Sequence, residues 1–357
     1  MRRWAIVGLA VASMLALAGC GSSGSSSAAT GGGSSSGSTG KAFKLGVSLT
    51  FNNTDFWSAY ISYEQQFAKQ YGAQLIGPLV NNNNPGQQIT DIHTLINEGA
   101  TALIVNPADS AAIAPALAYA QSKNIPVVSV DVAPSHGHVS MIVRANNQLY
   151  GQEACKYIAS KAKSGTAAVL EGDLTSLNGS DRSSAFINCM KQTDPGVKVV
   201  AYATKWDTPT ATTDAQDALH TYADLKAIYV EWSGPVPGIL KAEASTGRSA
   251  PVGSPNHVIL VSDDGVPFEM KDIQQGTFDA TVSQPADLYA KYSILYAKEL
   301  MHGQSFSAGQ ATDHQTTLTT VSGNLEDPIN APLVTKSNAS DPNLWGNVYA
   351  RTHPGAG

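Results

Sequence analysis

The feature that most constrains this chain is a recurring alternation of short apolar runs with helix-length amphipathic stretches. The runs "FKLGVSL", "AQLIGPLV", "ALIVN" and "IPVVSVD" have strand cores at Leu45, Leu75, Leu103 and Val127. Successive cores lie about 25–30 residues apart, close to the length of one βαβ unit. The intervening spacing predicts helices over 56–71, 85–99 and 109–123. In the second of these, Ile89, Ile92, Leu95 and Ile96 fall on one face. Strands that stay apolar on successive residues are buried on both sides. A parallel sheet covered by helices follows from that.

A link, "HVSMIVRAN", leads into a second set of the same kind. Helices are predicted over 147–163, 180–192, 210–222, 236–244 and 267–275. They alternate with the strands "TAAVLEG", "VKVVAYA", "KAIYVEW", "HVILVSDD" and "TFDATVSQ", and a long helix over 285–300 closes the series. The tail from Gly303 reads as irregular, with one strand around "INAPLVTK". The fold class expected is α/β, with two similar doubly wound parallel-sheet lobes.

Bulk properties agree with packed lobes. Of 357 residues, 42% are hydrophobic and 14% charged, which is too apolar for a disordered chain. The formal net charge is -6 and no Lys/Arg cluster interrupts it, so a nucleic-acid partner is not expected. The N-terminus reads as a targeting segment. Met1-Arg2-Arg3 precedes an apolar stretch over 4–17, shorter than the ~20 residues a membrane span needs. Leu17-Ala18-Gly19-Cys20 resembles a bacterial lipobox, which makes 1–19 a signal peptide and Cys20 a lipidation site. Residues 20–40, almost wholly Gly, Ser, Ala and Thr after the cysteine, read as a flexible tether. The expected location is extracytoplasmic, lipid-anchored to the outer face of the cell membrane. Cys155 and Cys189 remain, either as a disulfide or as two buried thiols.

In sheets of this kind ligands sit beyond the C-terminal ends of parallel strands. The residues found there are rich in aromatics, carboxylates and side-chain amides. Three of the five tryptophans are among them. Sugars suit such a set, because ring C–H faces stack on aromatic planes while hydroxyls pair with Asp, Asn, Gln and Arg. Trp57, Trp206 and Trp232 are candidate platforms. Asp131, Asp264, Arg182, Asn106 and Gln284 are candidate polar contacts, though any one of these could be a helix cap or turn residue instead. Other chemistries find less support. "EGDLTSLNGS" and "SGPVPG" fit neither phosphate-binding pattern. "SHGH" lacks a metal-ligand partner at a recognised spacing, and no GxSxG elbow is present. No catalytic residue, metal or cofactor is expected.

At these strand ends the chain resembles the type I periplasmic sugar-binding proteins of ABC importers, the ribose-binding-protein group. "NNTDFW", "LIVNPADSAAI", "ANNQLYG", "DRSSAF", "KWD", "VSDDG", "ATVSQ" and "DPNLWGN" fall in the family's order. The resemblance covers most of the chain from Phe43 to about Trp345. It implies that Phe56 and Trp57 sandwich a sugar from the first lobe, with Trp206 opposite. It also implies that Asp131, Arg182, Asp264 and Gln284 are polar contacts and that Asn106 stands at the cleft. Asn53, Asp55, Trp232 and Asp263 complete the ligand set.

Departures accompany the match. Val132 stands where the family often has Arg, Trp232 where it has Asn, and Asp263 where it has an aromatic residue. These imply a ligand other than ribose bound in the usual way. Asp55 replaces a proline and either caps the helix that follows or reaches the ligand.

The resemblance further implies a three-crossing hinge. Lobe one would be 41–145 plus 285–320, and lobe two 146–284 plus 321–357. In that topology Cys155 and Cys189 lie on two helices flanking one strand, a geometry that permits a disulfide if the helices touch. The implied function is an extracytoplasmic solute-binding protein, a monomer, that captures a small neutral sugar or polyol and delivers it to a membrane permease. A surface lipoprotein presenting sugar to a receptor is an alternative. A sugar-acting surface enzyme using Asp131 and Asp264 as a carboxylate pair is another.

Overall fold

The computed structural model describes residues 42–355. The expected signal peptide, Cys20 and the tether lie outside the described residues. Two sheets organise the chain. The first is built from β1 (Lys44–Leu49), β2 (Gln74–Val80), β3 (Ala102–Val105), β4 (Val127–Val130) and β5 (Met141–Ala145), joined late in the chain by β11 (Thr319–Val321) and β12 (Asn324–Ile329). The second holds β6 (Gly165–Glu171), β7 (Val197–Ala203), β8 (Leu225–Val230), β9 (Ile259–Asp263), β10 (Ala280–Val282) and β13 (Leu333–Thr335). Their orders are β11-β12-β5-β4-β3-β1-β2 and β13-β10-β9-β8-β6-β7. Pairing is parallel throughout except at β11–β12 and β10–β13. β3, β4 and β5 are buried at every residue, as expected of sheets covered on both faces.

The first sheet is covered by α1 (Asp55–Tyr71) and α9 (Ala286–Met301) on one face, and by α2 (Pro85–Asn97) and α3 (Ala114–Ser122) on the other. In the second lobe, α4 (Asn147–Lys161) and α5 (Leu177–Thr193) cover one face. The opposite face carries α6 (Thr208–Thr221), α7 (Val236–Ser245) and α8 (Pro267–Gln275). Cys155 on α4 and Cys189 on α5 are disulfide-bonded, their Cα atoms 6.1 Å apart. The chain passes between sheets after β5, after β10 and after β12, giving the three-crossing hinge.

Three sequence expectations need correction. The first lobe does not end at residue 320. β12 runs parallel to β5, with Glu326 opposite Ile142 and Ile329 opposite Ala145, so the segment through Ile329 belongs to the first sheet and not to lobe two. The alternating Leu325, Asp327 and Ile329 carry little strand signal beside a proline at 328, which an edge-proximal strand tolerates. The tail is also more ordered than its composition suggests, ending in α10 (Trp345–Thr352). Finally, α5 begins at Leu177, three residues before the expected start, because Ser176 caps it by accepting a hydrogen bond from the Asn178 amide at 3.3 Å.

Candidate functional site

The loops after the parallel strands of both sheets converge on a cleft between the lobes. Thr54 caps α1, its Oγ1 accepting from the Trp57 amide at 3.3 Å. That cap turns Phe56 and Trp57 inward from the first helical turn, where their rings meet edge to face at 5.2 Å. Asp55 is neither cap nor wall: it is exposed in the first turn and does not line the cleft. Its charge still suits a helix N-terminus. From lobe one, Asn53, Phe56, Trp57, Asn106 and Asp131 line the cavity. From lobe two and the hinge come Arg182, Trp206, Trp232, Asp264 and Gln284.

Asp263 is the second correction to the expected set. Its side chain is fully buried, and there Tyr229 donates to Oδ2 at 2.8 Å and Arg182 Nη1 lies 3.5 Å away. Asp263 is the last residue of β9 and is wholly buried, whereas Asp264 follows the strand and lines the cleft. Asp263 supports Arg182 from behind.

The two lobes present their carboxylates in the same manner. Asp131 follows β4, and its amide donates to Val143 of β5 at 2.9 Å. Asp264 follows β9, and its amide donates to Val282 of β10 at 2.9 Å. Both residues hold positive φ, 65° and 103°, as does Trp206 at 64°. Side chains resist this region at a cost of roughly 1–3 kcal/mol each, and it recurs where a fold fixes a functional group. Trp206 and Trp232 meet edge to face at 5.4 Å. A Cβ on Gly172 would overlap the six-membered ring of Trp206, so only glycine lets that indole lie over the β6 loop.

Arg182 ties the set together. It is 3% exposed. Nε donates to Asn147 Oδ1 at 2.6 Å, Nη2 to Gln284 Oε1 at 2.6 Å, and Nη1 to the Glu231 carbonyl. Its Cζ stands 4.6 Å from the Tyr150 ring centre and 5.7 Å from that of Trp206. Gln284 Nε2 passes the chain of bonds to Asp131 Oδ1 at 3.1 Å. Asn178 Nδ2 donates to the same oxygen at 2.9 Å and Asn106 Nδ2 to Oδ2 at 3.2 Å. With three amide donors on it, Asp131 is not disposed as the free acid or base that a catalytic pair requires.

Sequence reasoning missed Asn178. Once α5 begins at Leu177, Asn178 and Arg182 are four residues apart on one helix face, and the Ser176 cap was the signal that could have found it. Asn83 was also missed. It holds φ 59° after β2, and its Nδ2 donates across the cleft to Asp173 Oδ2 at 2.8 Å. Further bonds join the lobes here, from the Ser110 amide to Thr175 O at 3.1 Å and from the Leu177 amide to Ser110 Oγ at 3.0 Å.

Two doubly wound lobes meeting over an aromatic and carboxylate-lined cleft define the type I periplasmic-binding-protein fold. The chain belongs to the periplasmic binding protein family, whose domain it matches over residues 45–305. The ribose import binding protein RbsB of Bacillus subtilis is 30% identical over 268 residues, spanning 74% of this chain and 83% of its own. An ABC transporter solute-binding protein of Mycobacterium smegmatis, solved with glycerol, superposes with a TM-score of 0.72 at 24% identity, covering 84% of this chain and 96% of that one. One from Actinobacillus succinogenes 130z, solved with D-allose, gives 0.72 at 20% identity, covering 84% and 99%.

Burial raises the carboxylates around Arg182, pushing Asp131 up to about 6, Asp263 to about 7 and Glu231 to about 8, against the opposing pull of the guanidinium. An acid whose folded pKa exceeds its unfolded value stabilises the fold fully below the unfolded pKa. That contribution is lost as pH rises through the folded value. The ligand-free melting temperature should therefore fall between about pH 4 and pH 8, the span from ordinary carboxylates to Glu231. A melting temperature that climbs steadily across this window in a calorimetric scan would contradict the assignment. Gly172→Ala tests the Trp206 platform: displacing the indole should cost about 1–3 kcal/mol of stability by overpacking. An unchanged urea midpoint would show that Trp206 does not depend on that contact.

Proposed function

We propose that this protein captures a monosaccharide or related polyol in the interlobe cleft and delivers it to an ABC permease. The observation that carries this reading is the cleft's composition, with indoles on both walls and Asp264 projecting between them. Asp264 Oδ2 accepts from the Ser233 amide at 2.9 Å and from Ser233 Oγ at 2.7 Å, while Oδ1 has no partner among the described residues. The aromatic faces take C–H surface and the free carboxylate oxygen takes hydroxyl donors.

The size of the space agrees. About 60 Å³ is open to the centre of a water molecule. At about 10–15 Å³ of such volume each, that is roughly four to six waters, or on the order of 120–180 Å³ of liquid volume. One five- or six-carbon sugar is of that order of size. The hinge supports delivery. Three chain crossings let the lobes open and close, and the closed face is what a permease would recognise.

The N-terminal sequence supports lipid attachment at Cys20, with the Gly/Ser tether spacing the body from the membrane. Globomycin-sensitive processing of the expressed precursor, followed by mass spectrometry of the mature N-terminus, would check that part.

Isothermal titration against pentoses, hexoses and polyols should find one-to-one binding of at least one sugar without turnover. Asp264→Ala should weaken that binding by about 2–4 kcal/mol, because a buried hydroxyl then lacks its charged acceptor. Unchanged affinity in a variant with native circular dichroism would remove Asp264 from the site.

A further inference from the structure

One short segment of lobe two, Asp173 to Leu177, leads from β6 into α5 and is gripped by lobe one at several points. Asn83 Nδ2 donates to Asp173 Oδ2 at 2.8 Å, the Ser110 amide to the Thr175 carbonyl at 3.1 Å, and the Leu177 amide to Ser110 Oγ at 3.0 Å. The Leu177 side chain packs against the apolar core beneath α2 and α3 of lobe one. Within the segment, Asp173 Oδ1 accepts from the Thr175 amide at 2.9 Å and from its hydroxyl at 2.7 Å, so the segment meets lobe one already shaped.

Two of those bonds meet on Ser110. It lies between β3 and α3, is 2% exposed and does not line the cavity. Its carbonyl accepts from the Ser135 amide at 2.7 Å, and Asp109 Oδ1 beside it accepts from the amides of Ala111 and Ala112 at 2.8 and 2.7 Å, which anchors the serine in lobe one. The first amides of a helix have no partner within the helix. In α5, Ser176 serves the Asn178 amide, while the Leu177 amide is served from the opposite lobe by Ser110 Oγ. The cap of α5 is therefore shared between the lobes. The same helix then carries Asn178, which bonds Asp131, and Arg182, which bonds Gln284. Opening the cleft would return the Leu177 amide to water and expose its side chain, so these contacts stabilise the closed form alone.

We propose that Ser110 is a positioning residue for ligand capture. It completes the α5 cap only when the lobes meet, which joins closure to the placement of Asn178 and Arg182 and sets affinity without touching the ligand. A ligand held by the closed form binds with an apparent affinity scaled by the fraction of protein able to close. Removing Ser110 Oγ lowers that fraction and leaves the cavity lining unchanged. It also shortens the ligand's residence, because contacts completed after encounter act on release. This inference rests on the solute-binding reading and adds to it a residue outside the cavity.

Variants of the full chain provide the test. Ser110→Ala removes the acceptor and keeps the backbone amide, Ser110→Thr keeps the hydroxyl, and Leu177→Ala removes the apolar part of the same contact with Ser110 intact. Each variant and the wild type are titrated calorimetrically with D-ribose, D-allose, D-galactose and xylitol, and association and release are followed by stopped-flow tryptophan fluorescence. For each probe that the wild type binds, Ser110→Ala should weaken binding about three- to ten-fold, the net effect of one hydrogen bond. The loss should come from faster release, with association rate and stoichiometry unchanged. Leu177→Ala should speed release in the same way, and Ser110→Thr should restore wild-type behaviour. Equal affinity and release in the wild type and Ser110→Ala would overturn the inference while leaving the solute-binding function intact. So would a loss confined to stoichiometry or to the association rate, or a Ser110→Thr variant as weak as Ser110→Ala. Absence of binding by the wild type to every probe would overturn both.

Discussion

The buried guanidinium of Arg182 is the constraint around which the cleft is arranged. A charge removed from water needs both hydrogen-bond acceptors and opposite charge. Arg182 finds its acceptors on several elements: Asn147 at the start of α4, the carbonyl of Glu231 after β8, and Gln284 after β10. Asp263 on β9 supplies nearby charge. Because Gln284 then bonds Asp131 of the first lobe, the arginine's position in lobe two is transmitted through the hinge to the carboxylate of lobe one. Each of the three guanidinium nitrogens donates at least one hydrogen bond, and a network so connected holds the arginine rigidly in place.

The C-terminal tail braces the same site from outside. Trp345 Nε1 donates to the backbone oxygen of Asp264 at 2.9 Å, and its ring stands edge-on to Phe56 at 6.0 Å. One residue thereby touches the cleft wall of lobe one and the strained peptide that presents the acceptor of lobe two. α10 continues the link, with Tyr349 against Tyr63 at 5.5 Å and His353 Nε2 3.1 Å from Ser62 Oγ. Closure is held at the far edge by Asn83 and Asp173 and near the hinge by Asn178 and Asp131. The cleft is thus bounded by contacts that form only when the lobes meet.

Much of this was legible in the sequence, and the reasons are physical. Parallel strands buried on both faces write themselves as uninterrupted apolar runs such as Ala102–Val105, and the helices between them carry 3.6-residue periodicity. The strand-end rule then selects Trp57, Asp131 and Asp264 without knowledge of the ligand, whereas Arg182 lies inside α5. Where the reading went wrong, information from outside the local segment was decisive. Asp263 and Asp264 are equivalent in a strand-end list, and only where β9 ends relative to the cleft separates them. β12 joins the first sheet through pairing with β5, a contact between residues far apart in sequence. Asp55 yielded the cap to Thr54 because a single residue's shift in the helix start decides which side chain reaches the free amides. The roles of Asn178 and Trp345 arise from what they touch across the cleft, and no local pattern encodes that.

The account's central claim is that the indoles and Asp264 form one recognition surface organised by Arg182. A crystal structure of the protein with its tightest-binding sugar tests this most directly. The account predicts a sugar ring lying between Trp57 and the Trp206–Trp232 pair, with a hydroxyl within hydrogen-bonding distance of Asp264 Oδ1 and the bonds from Arg182 to Asn147 and Gln284 intact. A sugar bound elsewhere, or one that reaches Asp131 by displacing Gln284 and Asn178 while leaving Asp264 Oδ1 unpaired, would contradict it.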